Sequence, residues 1–220
     1  MRPSAIALTA ALIMTAVPLA ATSSELSVTV TQSGSAEPVT GAVISIATFR
    51  KVAPVSAEIY QQNRAFHPHL LVIPVGSSVD FPNRDNTQHH VYSFSPAKTF
   101  NIELYAGRPE APIVFDKPGI VELGCNIHDH MRAFIIVTDT AAIGQTNESG
   151  QVTLAIDPKY AEGGEARIEL QVWHPRLPDN TRPVVREVDL GQPANITLSL
   201  EPEPATDGSL DRLQQRFREL

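Results

Sequence analysis

Apolar residues recur along this chain with the two-residue period of a β-strand, and nearly every run is cut short by glycine, proline or small polar residues. Leu26, Val28 and Val30 alternate with Ser27, Thr29 and Thr31, which predicts a strand with one buried face. A turn-rich stretch, Ser33 to Thr40, leads to a second run, Ala42 to Phe49. Leu70 to Val75 is almost continuously apolar and ends at Gly76, as expected of a strand covered on both sides. Val79 and Phe81, Val91 to Phe94, Phe100 to Tyr105, Ile113 to Phe115, Val121 with Leu123, and Ala133 to Val137 are further strand candidates. Beyond residue 139 a polar turn, Gln145 to Gly150, precedes Val152 to Ile156, Ala166 to Trp173, Val184 to Leu190 and Ala194 to Leu200. Eighteen prolines and twelve glycines spread among these runs fit many short strands joined by turns, hence an all-β fold built of sandwiches.

The 220 residues suffice for one large or two small domains. A chain that is 42% hydrophobic and 19% charged can bury a core and is not disordered as a whole. With 17 basic against 24 acidic residues the formal charge is -7, which argues against tracking a phosphate backbone and so against a nucleic-acid partner. The amino terminus reads as a signal peptide over residues 1–23. Arg2 is the only charge before Glu25, Ala5 to Val17 is largely apolar, and the small residues Ala20 to Ser23 follow. Cleavage between Ala20 and Ser24 exports the mature chain, which points to the periplasm. The rival, an uncleaved anchor, needs an apolar run of roughly 20 residues. No other stretch is long and apolar enough to span a bilayer. At the other end Leu210, Leu213, Phe217 and Leu220 recur at helical steps, which predicts a short amphipathic helix over 203–220, docked on the sandwich or binding a partner.

Residues with chemistry concentrate in two loops. One is Asn83-Arg84-Asp85-Asn86-Thr87-Gln88-His89-His90, and the other is Gly124-Cys125-Asn126-Ile127-His128-Asp129-His130-Met131. The chain has a single cysteine, so no internal disulfide forms, and a leftover thiol in an exported protein is a liability, a cross-link or a ligand. Alternation places Cys125 on the same strand face as Val121 and Leu123. Cys125, His128 and Met131 are spaced at i, i+3 and i+6 between two apolar segments, so a short loop can turn all three toward one point. Thiolate, imidazole and thioether form a soft donor set suited to copper, and a second imidazole from the upstream loop completes a thiolate plus two-histidine plane. A zinc site would need Cys125 with three imidazoles, recruiting His130. The bland alternative makes Cys125 and Met131 ordinary packing. His67 and His69 flank Pro68 at a strand start and read as surface residues, and His174 reads as part of a strand-ending turn.

The span from about Ile59 to Val137 resembles the cupredoxins of the plastocyanin and amicyanin group. The matching text is Phe66-x-Pro68, Leu70 to Gly76, Val79-x-Phe81-x-Asn83-x-Asp85, His89-x-Val91, Phe115-x-x-Pro118-Gly119 and Cys125-x2-His128-x2-Met131. The short final motif looks most like amicyanin. The whole chain is similar to bacterial proteins labelled methylamine utilization proteins. The resemblance implies a Greek-key β-sandwich over 54–138 holding one copper ion, Cu(I)/Cu(II). It places the first histidine ligand at His89 with His90 as the alternative, the thiolate at Cys125, the second imidazole at His128 and the axial thioether at Met131. His130 stands where the family has an apolar residue, as an exposed rim residue or an extra ligand. Gly124 before the cysteine, and Ala133 where the family commonly has glycine, also depart from the pattern. Asn83 and Asn126 are candidates for bonds that pin the loops, or ordinary turn residues.

Residues 24–53 and 139–202 weakly resemble a transthyretin-like or carboxypeptidase-regulatory-like sandwich, carried by Pro38-Val39-x-Gly41-Ala42-Val43 and Thr146-x3-Gly150. The copper domain would then be inserted in it. The expected function is single-electron transfer between periplasmic redox partners, with a hint of amine oxidation and no enzymatic turnover. The alternatives are a periplasmic copper carrier or storage protein and a mononuclear copper enzyme with an open site near His130.

Overall fold

The computed structural model describes residues 25–47, 52–157, 160 and 167–203. The segments read as signal peptide and as tail helix lie outside the described residues, apart from the tail's first position. No helix of the described residues is long and apolar enough to cross a membrane.

Seventeen strands follow one another among the described residues: β1 Glu25–Gln32, β2 Val43–Ile46, β3 Ser56–Glu58, β4 Tyr60–Gln62, β5 Ala65–His67, β6 Leu70–Pro74, β7 Ser77–Asp80, β8 His89–Ser95, β9 Lys98–Tyr105, β10 Ile113–Phe115, β11 Gly119–Gly124, β12 Arg132–Thr138, β13 Ala142–Gln145, β14 Gln151–Ala155, β15 Arg167–Trp173, β16 Val184–Asp189 and β17 Ala194–Leu198. The fold is all-β, as the alternation predicts. Four strands were not legible in the alternation: β3, β4, β5 and β13. The β4–β5 hairpin turns at Asn63 and Arg64, which both hold positive φ, 55° and 56°. A turn with two left-handed residues normally advertises itself through glycine, and this one has none.

Five strands form the sheet β6-β12-β11-β8-β9, faced by the three-stranded sheet β10-β7-β3. Their inner faces share one core containing Phe66, Ile73, Val79, Phe81, Val91 and Phe115, the arrangement expected of a cupredoxin-like sandwich. The remaining strands build the sheets β14-β1-β17 and β13-β2-β15-β16 around a second core. β1 and β2 therefore pair with strands from the far end of the chain and with none of β3 to β12.

One threonine ties these distant segments together. Thr146 Oγ1 donates to the Val39 carbonyl at 2.6 Å and accepts the Ala42 N–H at 2.9 Å. The backbones of Gly41 and Ala42 bond Thr146 as well. The Pro38 to Val43 and Thr146 to Gly150 phrases of the sequence thus meet in space.

Strand β12 serves both cores. Its Ala133, Ile135 and Val137 enter the first, while Phe134 and Ile136 enter the second. Successive side chains of a strand point to opposite faces, so a strand between two cores must be apolar at every step. That accounts for the unbroken run Ala133 to Val137. Phe134 packs edge-on against Trp173, with ring centroids 5.1 Å apart.

Candidate metal centre

The register between β11 and β12 runs without interruption from Gly119↔Val137 to Gly124↔Arg132. The seven residues between Gly124 and Arg132 must therefore reverse the chain in a small space. The Met131 N–H donates to the His128 carbonyl at 2.9 Å and closes that reversal. Cys125 continues the inward face of Val121 and Leu123, and it is buried together with Met131 in the same core.

His89 begins β8. The pairing of β8 with β9 is irregular between His89 and Val91, the kind of local shift that re-aims a side chain. His89 is completely buried. The loop before it is braced from within by Asn83, whose Nδ2 donates to the carbonyls of Thr87 (2.8 Å) and Tyr105 (3.0 Å). Asn83 Oδ1 accepts the Asp85 N–H at 2.9 Å. Tyr105, opposite His89 in the register, donates its hydroxyl to Gln61 Oε1 at 2.7 Å. Burial pushes the Tyr105 phenol above its ordinary pKa.

Two loops thus bring three donors together. Cys125 Sγ lies 3.8 Å from His89 Nδ1 and 3.8 Å from His128 Nδ1. The donor atoms of all three residues lie within 4.8 Å of one another, and this is the one such group among the described residues. With metal–sulfur and metal–nitrogen bonds of roughly 2.3 and 2.0 Å, a trigonal arrangement separates sulfur from nitrogen by about 3.7 Å and a tetrahedral one by about 3.5 Å. The observed sulfur–nitrogen spacings are of the size that one ion shared by these donors requires, and the donor types are those of a soft, copper-preferring site. Met131 is buried in the core that holds Cys125. A closed zinc site finds no fourth strong donor in this group.

The surroundings favour the neutral form of the His128 imidazole. Burial, followed by the neighbouring His89, Arg64 and His130, lowers the proton affinity of His128. The far nitrogen of His89, Nε2, sits 2.8 Å from Asp85 Oδ2. Burial pulls the Asp85 pKa up, but bonds from the Arg64 N–H, His89 and the Asn63 N–H outweigh it and hold the carboxyl below its ordinary value.

Of the residues singled out in the sequence, His89, Cys125 and His128 meet at one point. His90, on the opposite side of the pleat, packs its ring against Tyr92 at 5.6 Å. His130 is exposed and lies outside the donor group, its ring 6.1 Å from that of His128. Of the two asparagines read as loop-pinning candidates or ordinary turn residues, Asn83 makes such bonds and Asn126 is exposed. His67 stacks on Tyr60 at 5.2 Å, and His69 meets Phe134 edge-on. Asp85 and Tyr92 carry contacts to the site that the spacing of ligands does not announce. Asp85 stands four residues before His89 and inside the Asn83-x-Asp85 motif, but neither signal says that its carboxylate meets the His89 ring. Tyr92 explains Gly124, because a Cβ there would lie 2.7 Å from the Tyr92 ring.

No protein-family model matches the chain, and no curated protein matches it. Solved structures do. A copper-containing nitrite reductase from Thermus scotoductus SA-01 matches at 25% identity over 44% of this chain, with a TM-score of 0.37. The matched part is 25% of that reductase, so this chain spans about a quarter of its length. A purple cupredoxin from Nitrosopumilus maritimus matches at 23% identity, covering 37% of this chain and 99% of its own, with a TM-score of 0.33. A reduced amicyanin variant matches at 18% identity, covering 43% of this chain and 98% of its own, with a TM-score of 0.35.

Proposed function

We propose that this chain is an exported type 1 copper protein that passes single electrons between periplasmic redox partners, without turnover of its own. The observation that carries the reading is the convergence of His89 Nδ1, Cys125 Sγ and His128 Nδ1, two of them buried, on loops anchored by paired strands. Met131, buried in the same core as Cys125, would supply a thioether donor. Bound copper supplies the one-electron Cu(II)/Cu(I) couple.

The chain's contribution is to keep the donors still. Cys125 and Met131 are locked in the core, Asn83 braces the loop that carries His89, and the β11–β12 ladder fixes both ends of the ligand loop. Donors that need not move on a change of charge keep reorganisation small. His128, only partly buried, is the ligand nearest solvent and is assigned as the point where electrons enter and leave. Residues 54–138 form the copper domain in this reading, with 24–53 and 139–202 as an accessory sandwich. Amine oxidation is a candidate setting for the partners.

The test is the visible and electron paramagnetic resonance spectrum of the Cu(II)-loaded protein beside a Cys125→Ser variant. An intense thiolate-to-copper band that vanishes in the variant is expected. Its absence from the unmodified protein, or its persistence in the variant, overturns the reading. The second reading, a copper carrier, uses the same donors, beside which lies a groove lined in part by Tyr92, Phe94, Cys125, Met131 and Asn180. Metal handed to a chelator within minutes, in place of reversible redox, decides for the carrier.

A further inference from the structure

We propose that Asp85 is a positioning residue that clamps His89 from behind, orienting its Nδ1 toward the metal and lowering the reduction potential of the site. The inference rests on the copper reading above and deepens it.

Three contacts converge on the Asp85 carboxylate. Oδ1 accepts the Asn63 N–H at 2.6 Å, and Oδ2 accepts the Arg64 N–H at 2.9 Å. Oδ2 also meets His89 Nε2 at 2.8 Å. The donors Asn63 and Arg64 are the two left-handed residues of the β4–β5 turn. That backbone points two successive N–H groups into one concavity, an anion cradle. The Asp85 side chain is 13% exposed and that of His89 is 0% exposed, so solvent competes little for the contact.

A carboxylate held by backbone N–H groups remains an acceptor, and His89 must then carry its proton on Nε2. The lone pair of Nδ1 is left facing Cys125 Sγ, 3.8 Å away. Such carboxylate–histidine pairs fix the tautomer and orientation of a metal-binding ring and raise its basicity. Their loss costs about 10- to 100-fold in metal affinity. The negative charge favours the more positive oxidation state, so it stabilises Cu(II) over Cu(I). The turn, which belongs to neither ligand loop, thereby becomes part of the support of the site.

Two measurements test this on the full chain. The first uses unmodified, metal-free protein: ¹⁵N resonances of the histidines report the tautomer. A proton on Nε2 of His89 is expected, and a proton on Nδ1 overturns the proposal without touching the copper reading. The second compares copper-loaded unmodified protein with Asp85→Asn, which keeps an acceptor and removes the charge. The variant is expected to keep the thiolate-to-copper band. It should also favour Cu(I) over Cu(II) about tenfold more, a rise of about 59 mV for one electron, and lose Cu(II) to a chelator faster. An unchanged potential with the band intact overturns the role of Asp85 alone. Absence of the band from the unmodified protein overturns both readings.

Discussion

Two histidines are buried, one beside each of the two cores, and they are buried to different ends. His89, in the core that contains Cys125, has a carboxylate behind it and two further donors in front. His174, beside the other core, is 8% exposed, and its Nδ1 accepts the Arg176 N–H at 3.2 Å. Burial lowers the His174 pKa to about 4, helped by the nearby Arg176 and His69 and opposed by the bond to Thr40 and by Glu203. His174 is a structural acceptor kept neutral inside a turn. His89 is one of several donors directed at a common point. Burial alone does not make a histidine a ligand; convergence of donors from separate elements does.

The sharpest way to test that contrast is through β12, the strand the two cores share. Phe134→Ala opens a cavity against Trp173 and should cost about 3–5 kcal/mol while leaving the copper spectrum unchanged. Ile135→Ala, one residue on but facing the Cys125 core, should cost about 2–5 kcal/mol and broaden the copper signals as the ligand loop loosens. Denaturant unfolding with the spectrum recorded in parallel distinguishes the two. A copper spectrum equally altered in both variants would show that the two faces of β12 are not independent.

His174 gives the next largest effect. Its folded pKa lies below the unfolded value of 6.5, so its contribution is fully present above pH 6.5 and is lost as pH falls toward 4. The loss approaches about 3 kcal/mol. Urea midpoints measured between pH 7.5 and 4 should fall more steeply for the unmodified chain than for His174→Gln, and parallel curves would contradict the assignment.

The smallest effect is expected at Gly124. Gly124→Ala sets a methyl against the Tyr92 ring and should cost about 1–3 kcal/mol, with a shifted copper band because Cys125 is adjacent. Trimming the ring in Gly124→Ala/Tyr92→Ala should recover part of that cost. A single variant as stable as the unmodified chain would show that the ring moves aside freely.

Much of this was legible in the residues. Alternation and continuous apolar runs located thirteen of the seventeen strands seen among the described residues, because a strand against one core leaves a two-residue signature and a strand covered on both faces stays apolar throughout. The Cys125-x2-His128-x2-Met131 spacing and His89 marked the two loops whose donor atoms of His89, Cys125 and His128 converge, because a short loop between paired strands has few ways to turn. What escaped notice was short or depended on a partner. The β4–β5 hairpin has three residues per strand and no glycine at its turn. The choice between His89 and His90 is one of pleat direction, and adjacent identical residues give no hint of it.

The sequence by itself determined an all-β chain with a soft donor set in one loop and a histidine pair in another, since both follow from local periodicity and spacing. Only the tertiary structure decided that β12 lies between two cores, that Thr146 joins segments 104 residues apart, and that Asp85 sits in the cradle of the Asn63–Arg64 turn behind His89. These are contacts between elements distant along the chain. They depend on how strands register and sheets pack, which no local pattern of residues encodes.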